Sequence, residues 1–224
     1  MKKSIKSLLV ATAALLLFQT SFAQEAEEEK EFFYSNRLSV LAGLIQPIAL
    51  KGGNIEINYF FKRISFDYSH GFLLELAGSV IVGDAKDQKL AYHLPYSTGF
   101  GIGYRFTSSF DVRIEPKVHS WEVYYDGATQ NKTNLIKEYK TYSVGFGAYY
   151  RYMPFEKKDN WLQGITTSTS VRWWPNIASS LSDNKFTYYN RFTNKNETLK
   201  ASNIGIAGSQ FIFNISIGYT FGGK

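Results

Sequence analysis

Phe110–Tyr125, FDVRIEPKVHSWEVYY, alternates residue by residue between two chemistries. Asp111, Arg113, Glu115, Lys117 and His119 fall on one set of positions, and Phe110, Val112, Ile114, Pro116 and Val118 on the other. Successive side chains of a β-strand point to opposite faces, so the stretch predicts a strand with one ionic and one apolar face. A strand of a soluble protein can alternate in the same way with its charges in water. Repetition along the chain separates the two cases.

The pattern does repeat. Arg37–Ile45 puts Leu38, Val40, Ala42 and Leu44 on one face, and Asn54–Phe61 sets Ile55, Ile57, Tyr59 and Phe61 against Asn54, Glu56 and Asn58. A third strand starts at Ile64 with its end left open. Its parity carries Phe72, Leu74 and Leu76 outward and sets His70 outward, with Gly71 a candidate bulge. Ser97–Phe106 alternates Phe100, Ile102, Tyr104 and Phe106 with Gly99, Gly101, Gly103 and Arg105. Tyr139–Tyr152 alternates Tyr142, Val144, Phe146, Ala148, Tyr150 and Tyr152 with Ser143, Gly145, Gly147, Tyr149 and Arg151. Trp161–Trp174 is the least regular, rich in Thr and Ser on both faces, with Arg172 inward and Trp173 outward. Gln210–Phe221 closes the series with Phe211, Phe213, Ile215, Ile217, Tyr219 and Phe221 on one face.

Short connections fix the pairing. Lys62-Arg63 reads as a two-residue hairpin loop that sets Phe61 opposite Ile64, Tyr59 opposite Phe66 and Asn58 opposite Asp67. Thr107-Ser108-Ser109 brings Arg105 opposite Asp111 and the three glycines opposite Lys117, Glu115 and Arg113. Small residues facing long charged ones fill a narrow interior. The connections at 62–63, 107–109 and 153–160 are short, whereas 78–96, 126–138 and 175–209, at the other end, are long. Asp84–Leu94, Asp126–Glu138 and Pro175–Ser209 read as loops, while Phe72–Val82 is too apolar for one. An even strand count with this asymmetry predicts an all-β fold, an eight-stranded antiparallel up-and-down transmembrane β-barrel over residues 37–221. Aromatics at the short-turn end (Tyr59, Phe61, Tyr104, Phe106, Phe110, Tyr150, Tyr152, Tyr219, Phe221) form one expected girdle, and Tyr68, Tyr142 and Trp173 the other.

Targeting supports the membrane reading. Lys2, Lys3 and Lys6 precede an apolar run, Leu8–Phe18, too short to span a bilayer, and Ser21-Phe22-Ala23 forms a small-residue cleavage site. Residues 1–23 thus read as a signal peptide cleaved after Ala23, and residues 24–36 as an acidic periplasmic leader. Losing the three lysines takes the formal charge from +6 to +3, so the precursor's basic pI does not argue for nucleic acid. The chain has no cysteine, which excludes disulfide, thiol and zinc-thiolate chemistry, and no metal or cofactor is expected. A mean hydropathy of -0.22 beside 17% aromatic residues suits a barrel, in which only alternate residues meet lipid.

On this pattern, and on a last strand ending in GYTF before Gly222-Gly223-Lys224, the chain resembles the small eight-stranded outer-membrane barrels of Gram-negative bacteria, the OmpA/OmpX-like superfamily. In that family the terminal aromatic is usually the last residue; here three residues follow it. The resemblance implies an integral outer-membrane protein surrounded by outer-membrane lipid and lipopolysaccharide, with other outer-membrane proteins as partners and no nucleic acid. It implies a non-enzymatic role in envelope structure, through extracellular loops, or within an outer-membrane complex. A lipid A deacylase-like enzyme and a narrow porin-like channel are the alternatives.

The inward ions expected from parity are Glu56, Asp67, Asp111 and Glu115 with Arg105, Arg113, Lys117, Arg151 and Arg172. Four acids against five bases read as a structural salt-bridge network filling the lumen, because unpaired buried charges cost several kcal/mol each. The competing reading is an ion or proton path. The lipid A deacylases carry His-x-Ser on one strand face; here His119-Ser120 and Ser69-His70 are adjacent and point to opposite faces, and His93 is expected in a loop. No catalytic residue is therefore assigned. Lys185–Lys200 mixes aromatic and basic residues around Asn194-Lys195-Asn196 and reads as a protruding hairpin, with Lys185, Tyr188, Tyr189, Arg191 and Phe192 as a candidate surface for a partner or for lipopolysaccharide.

Overall fold

The computed structural model describes residues 36–77, 89–205 and 209–222. The signal peptide, its cleavage site, the leader up to residue 35 and the apolar stretch at 78–82 lie outside the described residues. The elements run β1 (Arg37–Gly43), α1 (Ile45–Ala49), β2 (Gly53–Phe61), β3 (Ile64–Ala77), β4 (Leu90–Arg105), β5 (Phe110–Tyr125) and β6 (Lys137–Tyr152). They continue with β7 (Ile165–Trp173), β8 (Asn176–Ser179), β9 (Lys185–Asn190), β10 (Lys195–Lys200) and β11 (Phe211–Phe221). β1 through β6 each pair antiparallel with the next strand, β7 pairs with β11, and β11 returns to β1. The sheet closes as an eight-strand antiparallel barrel.

The pairings expected across both short turns are present. Phe61 faces Ile64, Tyr59 faces Phe66 and Asn58 faces Asp67. Arg105 faces Asp111, Gly103 faces Arg113 and Gly99 faces Lys117. Lys62 turns the first hairpin with φ 51, a left-handed conformation.

Wall height is uneven, and that asymmetry organises the molecule. β4, β5 and β6 have 16 residues each, β1 only 7. A tilted strand needs about 9–11 residues to cross a bilayer. Over their lower parts β3 to β6 point Phe66, Phe100, Ile114 and Phe146 outward and exposed, while Asp67, Arg105, Glu115 and Arg151 are buried inside. Higher up, at one common level, the polarity inverts. Leu74, Leu76, Leu90, Tyr92, Leu94, Trp121, Val123 and Tyr139 now face inward as a hydrophobic core, and Phe186 and Tyr188 of β9 close over it. At that level the outer face carries Glu75, His93, Glu122, Glu138 and Lys140, partly or fully exposed.

Several expectations change here. Leu74 and Leu76 face inward rather than outward, because Leu73 adopts φ 53 and turns the strand over; the irregularity lies at Leu73, not Gly71. Leu90–Leu94 is strand, not loop, which places His93 on β4; a register shift between His93 and Ser97 restores inward parity on both sides. Trp161–Trp174 is not one strand: a 3-10 turn covers Trp161–Gly164, β7 ends at Trp173, and β8 resumes the same position on β6 beyond Pro175, which has no N–H for the ladder. The expected long loop at 175–209 contains β8, β9 and β10.

Candidate functional site

All nine charged residues predicted for the lumen are buried. The strands that carry them are far apart in sequence, yet the interior is narrow enough for contacts across it. Arg113 of β5 donates from Nη1 to Asn58 Oδ1 of β2 at 2.5 Å and lies 3.9 Å from Asp67 of β3. Its Nε meets Asp111 Oδ2 at 2.5 Å, and Ser65 donates to the same oxygen at 3.1 Å. Register and contact thus differ: Arg105 is the residue opposite Asp111, but Arg113, two positions along the same face, grips the carboxylate. Arg105 donates to the Lys62 carbonyl at 2.8 Å and lies 5.1 Å from the centre of the buried Phe60 ring. Arg151 donates to the Ser108 carbonyl and lies 3.9 Å from the same ring. Cations that face an aromatic ring gain from its quadrupole.

Two further knots lie above. Glu56 Oε1 collects Arg172 Nη2 at 3.3 Å, Asn214 Nδ2 at 3.1 Å and Ser216 Oγ at 3.3 Å. Glu115 accepts from the Tyr149 hydroxyl at 2.5 Å and from Trp174 Nε1 at 3.2 Å. Lys117 donates to Ser69 Oγ and stands 4.3 Å from the centre of the Trp174 ring. Charge-assisted bonds of this kind let a buried carboxylate persist without a matched ion for each charge. Parity reasoning missed Phe60, Tyr149 and Trp174 as partners. All three stood on inward positions by the same parity, Trp174 two residues from the inward Arg172, and could have been found. Arg37, also inward and not singled out, pairs with Glu156 of the turn after β6 at 2.8 Å.

The histidines do not behave alike. His93 Nδ1 meets Glu122 Oε2 at 3.0 Å on the outer face of the upper sheet. His119 is fully buried between two hydroxyls, with Ser97 Oγ 2.8 Å from Nδ1 and Ser143 Oγ 2.7 Å from Nε2. Scanning for local His-x-Ser spacing could not detect this cross-strand Ser–His pair. A hydroxyl within reach of an imidazole is the geometry of a nucleophile and its base, but here the second ring nitrogen faces another hydroxyl where an orienting carboxylate would stand.

No family model matches the chain. No curated protein matches it either. Among solved structures, the N-terminal β-barrel domain of Pseudomonas aeruginosa OprF is similar over 84% of this chain and 98% of that one, with a TM-score of 0.37 and 10% identity.

The hairpin of β9 and β10 departs from the expected protruding loop. Tyr188 is a correction: it packs into the upper core and is not a surface residue, because alternation on β9 sends Phe186 and Tyr188 inward together. Lys185, Tyr189, Arg191 and Phe192 remain exposed. Arg191 lies 3.5 Å from the centre of the Tyr125 ring, and the Tyr125 hydroxyl donates to the Tyr189 carbonyl at 2.8 Å, so the hairpin is tied to β5. Glu197 gathers the hairpin's own donors: Thr193 Oγ1 at 2.5 Å, Asn190 Nδ2 at 2.8 Å and the Tyr188 hydroxyl at 3.4 Å. The Thr193 and Asn190 bonds hold the Glu197 carboxyl below its ordinary pKa.

Proposed function

We propose that this chain is a non-enzymatic integral barrel of a Gram-negative outer membrane, exported by a signal peptide cleaved after Ala23. Its lumen is plugged by the buried charges, and it acts from its upper layer, in envelope structure or as part of an outer-membrane complex. The observation that carries this reading is the inversion of polarity at one level across β3 to β6. A soluble barrel has water along its whole outer wall and no reason to exchange apolar for charged residues part-way up. A bilayer supplies that reason: lipid demands apolar residues below the boundary, and water admits Glu138 and Lys140 above it. The exposed Lys185, Tyr189, Arg191 and Phe192 then lie on the far side of the membrane from the short turns, where lipopolysaccharide or another outer-membrane protein can meet them.

The charge network supports a closed lumen over a porin-like channel. Arg113 alone bridges three strands by bonding Asp111 and Asn58 and lying beside Asp67, and an eight-strand barrel is just wide enough for its side chains. The mature chain should fractionate with outer membranes, resist carbonate extraction and migrate differently on gels before and after boiling. In planar bilayers it should give no steady conductance. Recovery as a soluble periplasmic protein would overturn the membrane reading, and a steady ion-selective current altered by Asp111→Ala without loss of stability would overturn the plugged lumen.

A further inference from the structure

The barrel wall has a gap. β1 leaves the sheet after Gly43; its last contact with β11 is the Leu44 N–H on the Ile215 carbonyl at 2.8 Å. Above that point, among the described residues, Phe211–Asn214 pair only with β7, and the short helix α1 stands where β1 would have continued. Behind the gap lies a cavity of about 130 Å³. Its walls are mostly apolar, from Leu74, Leu76, Leu94 and Trp174, with Gln46, Asn54 and Ser97 among them, and its floor includes Lys117 and Arg172. Ile212 and Phe213 form part of the lining next to α1, and Phe213 is also 43% exposed on the outer wall, so the cavity meets the outside near the upper end of the apolar band.

The floor keeps unused donor capacity. Among the described residues the buried lumen holds Glu56, Asp67, Asp111 and Glu115 with Arg105, Arg113, Lys117, Arg151 and Arg172. Arg172 has Glu56, but among the described residues Lys117 has no carboxylate within ion-pair distance; its partners are the Ser69 hydroxyl and the Trp174 ring. An ammonium carries three donors, so Lys117 keeps capacity for an anion, and buried capacity of this kind is costly to leave unused.

We propose that the gap is a lateral port and the cavity a binding site for a single-chain amphipathic carboxylate, a fatty-acid anion, whose head meets Lys117 and whose chain lies along Leu74, Leu76 and Leu94. This rests on the membrane reading above. The chemistry follows from the two ends of the site: an ammonium with donors to spare takes an anionic head, and an apolar wall open toward lipid takes a hydrocarbon tail. Size excludes a two-chain lipid from the interior. A cavity of about 150 Å³ lined by aliphatic residues holds one benzene ring, so this one takes on the order of six carbons and a longer chain leaves through the gap.

The test uses the full mature chain in phosphatidylcholine nanodiscs with carboxyl-13C-labelled decanoate as the probe. Saturable binding is expected, with a bound carboxylate resonance distinct from that in empty nanodiscs. Decanol should bind at least tenfold more weakly. Lys117→Met should weaken decanoate binding at least tenfold, and Leu94→Trp, which fills the cavity and keeps the lysine, should do the same. Each variant is first checked for the gel shift of the folded barrel, and Leu94→Trp decides if Lys117→Met does not fold. Nanodiscs containing phosphatidylglycerol should leave decanoate affinity within twofold; displacement there would assign the site to lipid anions and overturn the proposal. Equal binding of decanol, or unchanged binding in either folded variant, would also overturn it. A chain that fails to insert into the nanodisc at all speaks against the membrane reading instead.

Discussion

Asp111 illustrates why a strand register is not a contact list. Alternation and the 107–109 turn set it opposite Arg105, yet its carboxylate is held by Arg113 on its own strand, because long side chains in a narrow lumen lean along the strand as readily as across it. Asp111→Ala should therefore strand Arg113, and breaking one side of a buried pair costs roughly 3–5 kcal/mol, less where water reaches the lumen. Urea unfolding in detergent should show the loss, and Asp111→Ala combined with Arg113→Met should recover part of it. The coupling between positions 111 and 113 should exceed that between 111 and 105; the reverse order would show that the cross-strand pair dominates. The inward glycines carry a second lesson. A methyl group on Gly145 would fall on the indole of Trp174, the ring that also bonds Glu115, so Gly145→Ala should destabilise by about 1–3 kcal/mol through overpacking. Thermal unfolding of the purified barrel measures it, and an unchanged midpoint would mean that Trp174 is free to move aside. The glycine stripe was legible as a strand face and Trp174 as an inward residue; that the indole fills the stripe was not.

Among the elements, β9 and β10 were the hardest to read. KFTYYN and KNETLK flank a turn, so a hairpin was legible, but its partner surface was not, because Leu90–Leu94 and Trp121–Tyr125 break the rule that inward means polar. That rule holds only where the outer wall meets lipid. Above it the same inward positions must be apolar to pack beneath the hairpin, and Leu73 and the β4 irregularity shift the strands to arrange this. The hairpin's internal clasp is titratable. Glu197 has a folded pKa lowered by its bonds from Thr193 and Asn190, so its contribution is present above the ordinary carboxylate pKa and is lost as pH falls through the lower folded value. The protection of the β9 and β10 amides, measured against the intrinsic exchange rate at each pH, should be high at neutral pH and fall as the pH drops below the ordinary carboxylate range, with Glu197→Gln removing that dependence. Protection lost in the same way in the Gln variant would place the titrating group elsewhere.

For the whole molecule, the alternation of Ile64–Tyr68, Phe100–Phe106, Phe110–Val118 and Tyr142–Tyr152 was enough to read the closed barrel and its turns. The lumen ions followed from the same parity. What alternation could not supply was the height at which the environment changes, since that is a property of the assembled wall and not of any one strand. The inversion on β6 states it most simply: Phe146 and Ala148 point outward with Lys140 and Glu138 above them on the same face. The chain contains no cysteine, so single cysteines can be placed at 138, 140, 146 and 148 without background. In proteoliposomes, positions 138 and 140 should react with a water-soluble maleimide. Positions 146 and 148 should be shielded from it, and a spin label there should be relaxed by oxygen and not by a water-soluble nickel complex. Reaction of all four positions with the water-soluble reagent would contradict the account, since it would mean that water, not lipid, surrounds the wall.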